Sequence, residues 1–258
     1  KILLLALFLN CFYIFSQSPI YIDENMKTID SVVYNIKCHS FVLKCLSIKT
    51  DSLNINKVVY KFKFGKTDSI GYSQIRKFLI GKTSRKIDIN ASLMVNYSDT
   101  IFDFKASKNN FDRHVNKHKT AKHSKFNKKY YRLNTKNIIK KQTKCAQKFK
   151  KLGGETFYVF NYDYGYKKEN PESYLIKDSR LFKNAFFKSI NSTSFLLIKP
   201  DGEYFISGGH LSDSLLKKLL KNKDWSRFKL DWLNSYSSFS NSGKGVFKKE
   251  FHHKKHCF

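Results

Sequence analysis

The stretch Ser194-Phe195-Leu196-Leu197-Ile198-Lys199-Pro200-Asp201-Gly202-Glu203-Tyr204-Phe205-Ile206-Ser207 decides how the chain folds. The apolar run Ser194–Ile198 stops at Lys199-Pro200-Asp201-Gly202, and Glu203–Ser207 resumes with strand-forming residues. Proline presets one turn dihedral and glycine accepts the left-handed one, so the segment reads as a β-hairpin. Downstream, Gly208-Gly209 leads to Ser212, an N-cap for a helix bearing Leu215, Leu216, Leu219 and Leu220. Trp225, Phe228, Trp232 and Tyr236 extend that amphipathic pattern.

Upstream of the hairpin, Thr156–Tyr162 is an aromatic and β-branched strand, followed by the Tyr- and Asp-rich loop Asp163–Ser173. A helix over Ser179–Lys188 places Phe182, Ala185 and Phe186 at helical spacing. Before the strand, Tyr131, Ile138, Cys145, Phe149 and Leu152 share one face of a helix that Asn134 caps and Gly153-Gly154 ends. Its other face is rich in lysine.

The order helix, strand Thr156–Tyr162, helix, strand Ser194–Ile198, turn, strand and helix from Ser212 resembles the C-terminal portion of thioredoxin-like proteins. The wording Phe195 to Gly202 is similar to that family's paired strands and turn. The resemblance covers the C-terminal half and implies an α/β fold there. Redox members of the family carry Cys-x-x-Cys after the strand, whereas this chain reads Tyr164-Gly165-Tyr166-Lys167-Lys168-Glu169. A cis-proline precedes the family's third core strand, and Thr193-Ser194 stand at that place here. Thiol-disulfide chemistry is therefore not expected, because no thiolate can be set at a helix N-terminus.

Toward the N-terminus, Ser31–Lys37, Phe41–Lys49 and Lys57–Phe64 read as strands, the last with Val58, Tyr60, Phe62 and Phe64 on one face. Ile75, Phe78 and Leu79 mark a helix over residues 72–80 before Gly81, and Ile87–Tyr97 alternates again. The expected class is α/β with mixed sheets, a β-rich N-terminal half with one helix and a thioredoxin-like C-terminal half. The expected layout is a signal peptide over 1–18, a β-rich domain over 19–104, a Lys-rich linker and helix over 105–152, an α/β domain over 153–236 and a basic tail over 237–258.

Residues 2–15 are apolar apart from Asn10 and are followed by Ser16-Gln17-Ser18, the pattern of a cleaved secretory leader, so export to the periplasm or cell exterior is expected. The net charge is +29, and only six of the 49 basic residues are arginines, so the charge is carried by lysine point charges. That favours an anionic polymer, an envelope surface or an acidic protein as partner and disfavours specific nucleic-acid recognition. The charge concentrates in Lys105–Lys151, where Asp112 is the sole acid. Lys117, Lys119, Lys122, Lys125, Lys128 and Lys129 are the candidate polyanion contacts.

No catalytic signature is present. Asp163, Glu169 and His210 are the weak acid-base candidates, belonging to an alternative reading as an exported hydrolase with its site in the 163–169 loop. His114, His118 and His123 lie among lysines that oppose a dication, and the tail His252, His253, His256 and Cys257 suits adventitious metal, so neither metal nor cofactor is expected. Cys38, Cys45, Cys145 and Cys257 allow three pairings, and a two-residue turn at His39-Ser40 would keep Cys38 from Cys45.

Overall fold

The computed structural model describes residues 18–50, 53–118, 126–164, 175–188, 194–209, 211–248 and 257. In chain order they form β1 (Ile20–Ile22), β2 (Thr28–Ile29), α1 (Ser31–Cys38), β3 (Leu43–Lys49), β4 (Asn54–Tyr60), β5 (Phe62–Lys66), α2 (Ser69–Thr83) and β6 (Ser92–Phe102). Then come α3 (Phe104–His118), α4 (Lys128–Lys150), β7 (Gly154–Tyr164), β8 (Leu175–Lys177), α5 (Leu181–Ala185), β9 (Ser194–Ile198), β10 (Glu203–Ser207), α6 (Asp213–Lys221) and α7 (Ser226–Ser237). The class is α/β with two mixed sheets, ordered β2-β1-β4-β3 and β5-β10-β9-β6-β7-β8.

The hairpin is as the turn chemistry dictates. Leu197 opposes Phe205, the Lys199 N–H bonds the Glu203 carbonyl at 2.8 Å, and Gly202 sits at φ +83° against the Thr67 carbonyl, where a Cβ would meet it at 2.3 Å. β9 runs antiparallel to β6, and β6 runs parallel to β7. β6 thus has a partner on both edges and two faces to bury. Leu93, Val95 and Tyr97 join Phe157, Val159, Leu196, Ile198 and Ile206 beneath α2 and Phe182 of α5. On the opposite face Met94 joins Leu197 and Phe205 beneath α6, Trp225, Phe228 and Phe149 of α4.

Two expectations are corrected here. Ser31–Cys38 is a helix, not a strand, because the Asp30 carboxylate accepts the Val33 N–H at 2.8 Å and Val33, Tyr34, Lys37 and Cys38 form its half-buried stripe. The N-terminal half accordingly carries α1 and α2 rather than one helix. Cys38, at the end of α1, turns onto β3 and bonds Cys45, the pairing that a turn at His39-Ser40 disfavoured. Cys145 bonds Cys257.

The expected strand Lys57–Phe64 divides at Lys61, and its halves enter different sheets. Its inward set is kept: Val58, Phe62 and Phe64 lie in one core with Tyr60 packed against it, so that core spans both sheets. β5 pairs with β10, and β6 with β7 and β9, so the boundary expected at 104 runs through a single sheet. Ile87–Ala91 precedes the ladder, and β6 extends instead to Phe102.

One buried charge ties the smaller sheet to α7. The Glu24 side chain is fully buried, accepts two bonds from Lys37 Nζ at 2.6 and 2.9 Å, and accepts a third from the Tyr236 hydroxyl. Burial, followed by the Glu24 and Tyr236 charges, pushes the neighbouring Tyr60 hydroxyl up to about 12. Glu24→Ala should lower unfolding free energy in urea by about 3 kcal/mol, because it strands Lys37. Tyr236→Phe should lower it by about 1 kcal/mol.

A second cluster fixes the hairpin. Lys199 Nζ lies 2.6 Å from Glu203 and 3.1 Å from Asp201, and Lys229 pairs with the other Glu203 oxygen. Burial pushes both carboxyls up, but bonds from the Glu203 N–H and Lys199 to Asp201, and from Lys199 and Lys229 to Glu203, outweigh it and hold both below their ordinary values. Their contribution to stability is therefore present above the ordinary values of 3.8 and 4.5 and lost as pH falls through the lower folded values. Urea midpoints measured down through this range should fall less steeply in Lys199→Met than in the unaltered chain.

Candidate functional site

The α3 and α4 helices form the crossover between the parallel strands β6 and β7, and the loops and helix ends beyond such strands are where α/β folds hold ligands. α3 begins where the Asp103 carboxylate accepts the Ala106 N–H at 2.7 Å. Asn127 caps α4, accepting the Tyr130 N–H at 2.8 Å. Asn134, expected as that cap, lies about two turns inside the helix: the start is set by Asn127 even though the first turn is basic and poor in aliphatics. Phe104 and Phe111 of α3 meet Phe126 at 6.1 and 5.2 Å between ring centroids, and Phe104 meets Tyr131 at 5.8 Å. This small aromatic core joins the two helices.

α4 touches the sheet unevenly. Cys145 and Phe149 near its C-terminal end are buried, whereas Ile138 is 45% exposed. Between the stood-off half of α4 and the sheet lies a cleft of about 510 Å³. Its floor is the row Asn96, Ser98, Thr100 and Phe102 on alternate positions of β6, with Tyr158 of β7 and Leu175 of β8. Its roof is Tyr131, Asn134, Thr135, Ile138, Ile139 and Gln142 of α4. The Tyr131 hydroxyl donates to the Phe102 carbonyl at 2.9 Å, and the Tyr158 hydroxyl donates to the Gln142 carbonyl at 3.1 Å. Burial pushes the Tyr158 hydroxyl well above the ordinary tyrosine range. Among the described residues the lining holds no Asp, Glu, Lys, Arg or His.

The outer face of α4 has the opposite character. Lys129, Arg132, Lys136, Lys140 and Lys144 recur at helical spacing on the side away from Cys145 and Phe149, and all are exposed. They span about 22 Å at 1.5 Å per residue. None of these five makes an ion pair with a described residue, whereas Lys148 pairs with Asp213 and Lys150 with Glu155 at 3.1 Å. Like charges at i,i+4 repel, so the stripe is maintained against the helix's own electrostatics.

Of the residues singled out from sequence, Lys128 and Lys129 stand exposed on the first turn of α4. Lys119, Lys122, Lys125, Glu169 and His210 lie outside the described residues, as does the side chain of Lys117. Asp163 ends β7, pairs with Lys177 at 3.2 Å and lies off the cleft lining. No group of three or more His, Cys, Asp or Glu side chains able to hold a metal occurs among the described residues. The sequence marks the outer face of this helix as rich in lysine without singling out Arg132, Lys136, Lys140 and Lys144, whose four-residue spacing is visible, and gives no sign of the polar row of β6, which alternates with Val95 and Tyr97. No family model, curated protein or solved structure matches the chain.

Self-repulsion along α4 has a measurable consequence. Raising sodium chloride toward 1 M should raise the melting temperature, because the Debye length falls from about 10 Å at 0.1 M to about 3 Å and the repulsion between neighbouring exposed charges is screened. Replacing Lys136 and Lys140 together by Gln removes the like-charge pairs Arg132/Lys136, Lys136/Lys140 and Lys140/Lys144, and should stabilise the chain by about 1 kcal/mol and flatten that salt response.

Proposed function

We propose that the protein is an exported, non-catalytic binding module of thioredoxin-like organisation whose basic α4 face takes an anionic polymer. The observation that carries this is the line of five exposed cations at Lys129, Arg132, Lys136, Lys140 and Lys144, unpaired among the described residues and displayed on a helix rather than in a loop. A linear array of fixed positive charge matches a linear polyanion, and each neutralised anion releases counterions. Lysine supplies four of the five charges and lacks a bidentate fork, which favours recognition by charge spacing rather than by base sequence.

The thioredoxin-like organisation rests on the run β6, α4, β7 with parallel strands, then the antiparallel pair β9 and β10 and the closing helix α6, all in one sheet. The run starts one strand earlier than the resemblance in sequence placed it. The segment after β6, Asp103-Phe104-Lys105-Ala106-Ser107, contains no cysteine, and Cys145 is bonded to Cys257. Export is supported by the disulfides Cys38–Cys45 and Cys145–Cys257, which persist in oxidising compartments. Of the leader expected over 1–18, residues 1–17 lie outside the described residues. Among the described residues no helix is long and apolar enough to cross a membrane.

The test is binding of heparin and of a single-stranded oligonucleotide at several salt concentrations. Changing Lys129, Arg132, Lys136, Lys140 and Lys144 together to Gln should weaken both by at least about tenfold and shallow the salt slope by roughly three to four ions, taking about 0.7 per contact. Scrambling the oligonucleotide should leave affinity unchanged. Equal affinity and slope in the five-site variant would defeat the proposal.

A further inference from the structure

The cleft beneath α4 is independent of the basic stripe, because the two occupy opposite sides of the helix. We infer that it is a second binding site, for an uncharged polyhydroxylated ligand: a sugar or a short neutral glycan segment. The argument begins with β6. A strand bonded on both edges in the middle of a six-stranded sheet would ordinarily bury apolar side chains on both faces. Its inner face does so through Leu93, Val95 and Tyr97, but the face beneath α4 passes from Met94 to Asn96, Ser98 and Thr100. Asn134, Thr135 and Gln142 answer from the helix.

Apart from Ser98, whose hydroxyl bonds the Thr100 carbonyl at 2.9 Å, none of these side chains hydrogen-bonds a described residue. Five neutral groups, half-buried or, at Asn134, exposed, therefore face one space with no partner among the described residues, free to exchange water for a ligand's polar groups. The space, about 510 Å³, is of small-molecule size, roughly 300–1,000 Å³.

The chemistry of the lining selects among ligands. A charged molecule would shed its water with no counter-charge from the described lining to meet it, since among the described residues no ionisable acid or base other than tyrosine lines the cleft. An aliphatic chain would leave the amides and hydroxyls of both walls unpaired, each at about 1–3 kcal/mol. An extended peptide adding to the sheet needs a free edge, and the β6 backbone is paired to β7 from Ser92 to Phe102 and to β9 from Leu93 to Tyr97. A sugar meets each condition. Its hydroxyls donate and accept, as Asn96, Asn134 and Gln142 do. Its C–H face can lie on the rings of Phe102, Tyr131 and Tyr158, whose own hydroxyls, where present, are engaged with backbone carbonyls.

The experiment titrates the full chain with cellobiose, maltose and N,N′-diacetylchitobiose, followed by calorimetry and saturation-transfer NMR. At least one disaccharide should bind. Asn96→Leu, on the strand, and Gln142→Leu, on the more exposed helix wall, should each weaken it by about tenfold, one lost hydrogen bond's worth. Circular dichroism checks that both variants fold, and Gln142→Leu keeps the test alive should the strand variant fail to. The five-site Lys and Arg variant should bind the disaccharide unchanged, so failure of the polyanion reading and failure of this one give different results. Absence of binding to all three disaccharides, or binding indifferent to both Leu variants, would overturn the inference. Tighter binding of octanol than of any disaccharide would overturn it too, assigning the cleft to an aliphatic chain.

Discussion

β6 is hydrogen-bonded along both edges, parallel to β7 and antiparallel to β9, and this double pairing organises the rest of the molecule. Over Leu93–Tyr97, where both ladders run, the strand has no edge to offer and acts only through its two faces. One face is apolar from Leu93 to Tyr97 and closes a core with α2 and α5. The other starts apolar at Met94, where α6 and the end of α4 pack down, and turns polar toward Phe102. α4 follows that change of character: it is seated at Cys145 and Phe149 and stands off at Ile138. The cleft is thus a direct product of the order of side chains along one strand.

The second organising element is the break at Lys61. The Lys61 and Phe62 N–H groups both reach the Val42 carbonyl, at 2.8 and 3.2 Å, and the Gly208 N–H bonds the Lys61 carbonyl at 2.8 Å. One run of alternating residues therefore serves two sheets without reversing its inward face. Trp232 Nε1 donates to the Phe62 carbonyl at 2.7 Å beside that break, bringing α7 over the junction. Phe62, Phe64, Phe205 and Phe247 then pack ring against ring with centroids 4.9–6.5 Å apart. Aromatic pairs of this kind add to simple area burial.

What was legible in the sequence followed from local chemistry. The Pro200-Asp201-Gly202 turn, the Ser212 cap, which accepts the Leu215 N–H at 3.1 Å, and the strand around Thr156–Tyr162 are where turn, cap and pattern signals place them. Ser31–Cys38 was misread because Val32, Val33, Tyr34 and Ile36 favour strands one residue at a time, while a single cap at Asp30 commits all eight to a helix. That error carried the cysteine geometry with it. The cleft went unread for a different reason: alternation was traced along the apolar positions to Tyr97, so the polar partners of those positions counted only as surface. The face they line becomes visible only when α4 is laid across it.

The bond between Cys145 and Cys257, 112 residues apart, closes a covalent ring containing β7 through α7, while β6 and everything before it lie outside. A pull applied between residue 18 and residue 257 would pass along the backbone to Cys145 and across the sulfurs, leaving the ring slack. The load on the folded chain would then fall on the ladders that join ring to arm, β5 with β10 and β6 with β7 and β9. Extension must shear β6 from between two neighbours at once, whereas the hairpin and helices inside the ring are shielded from tension. Mechanically the molecule is a clamp gripping one strand.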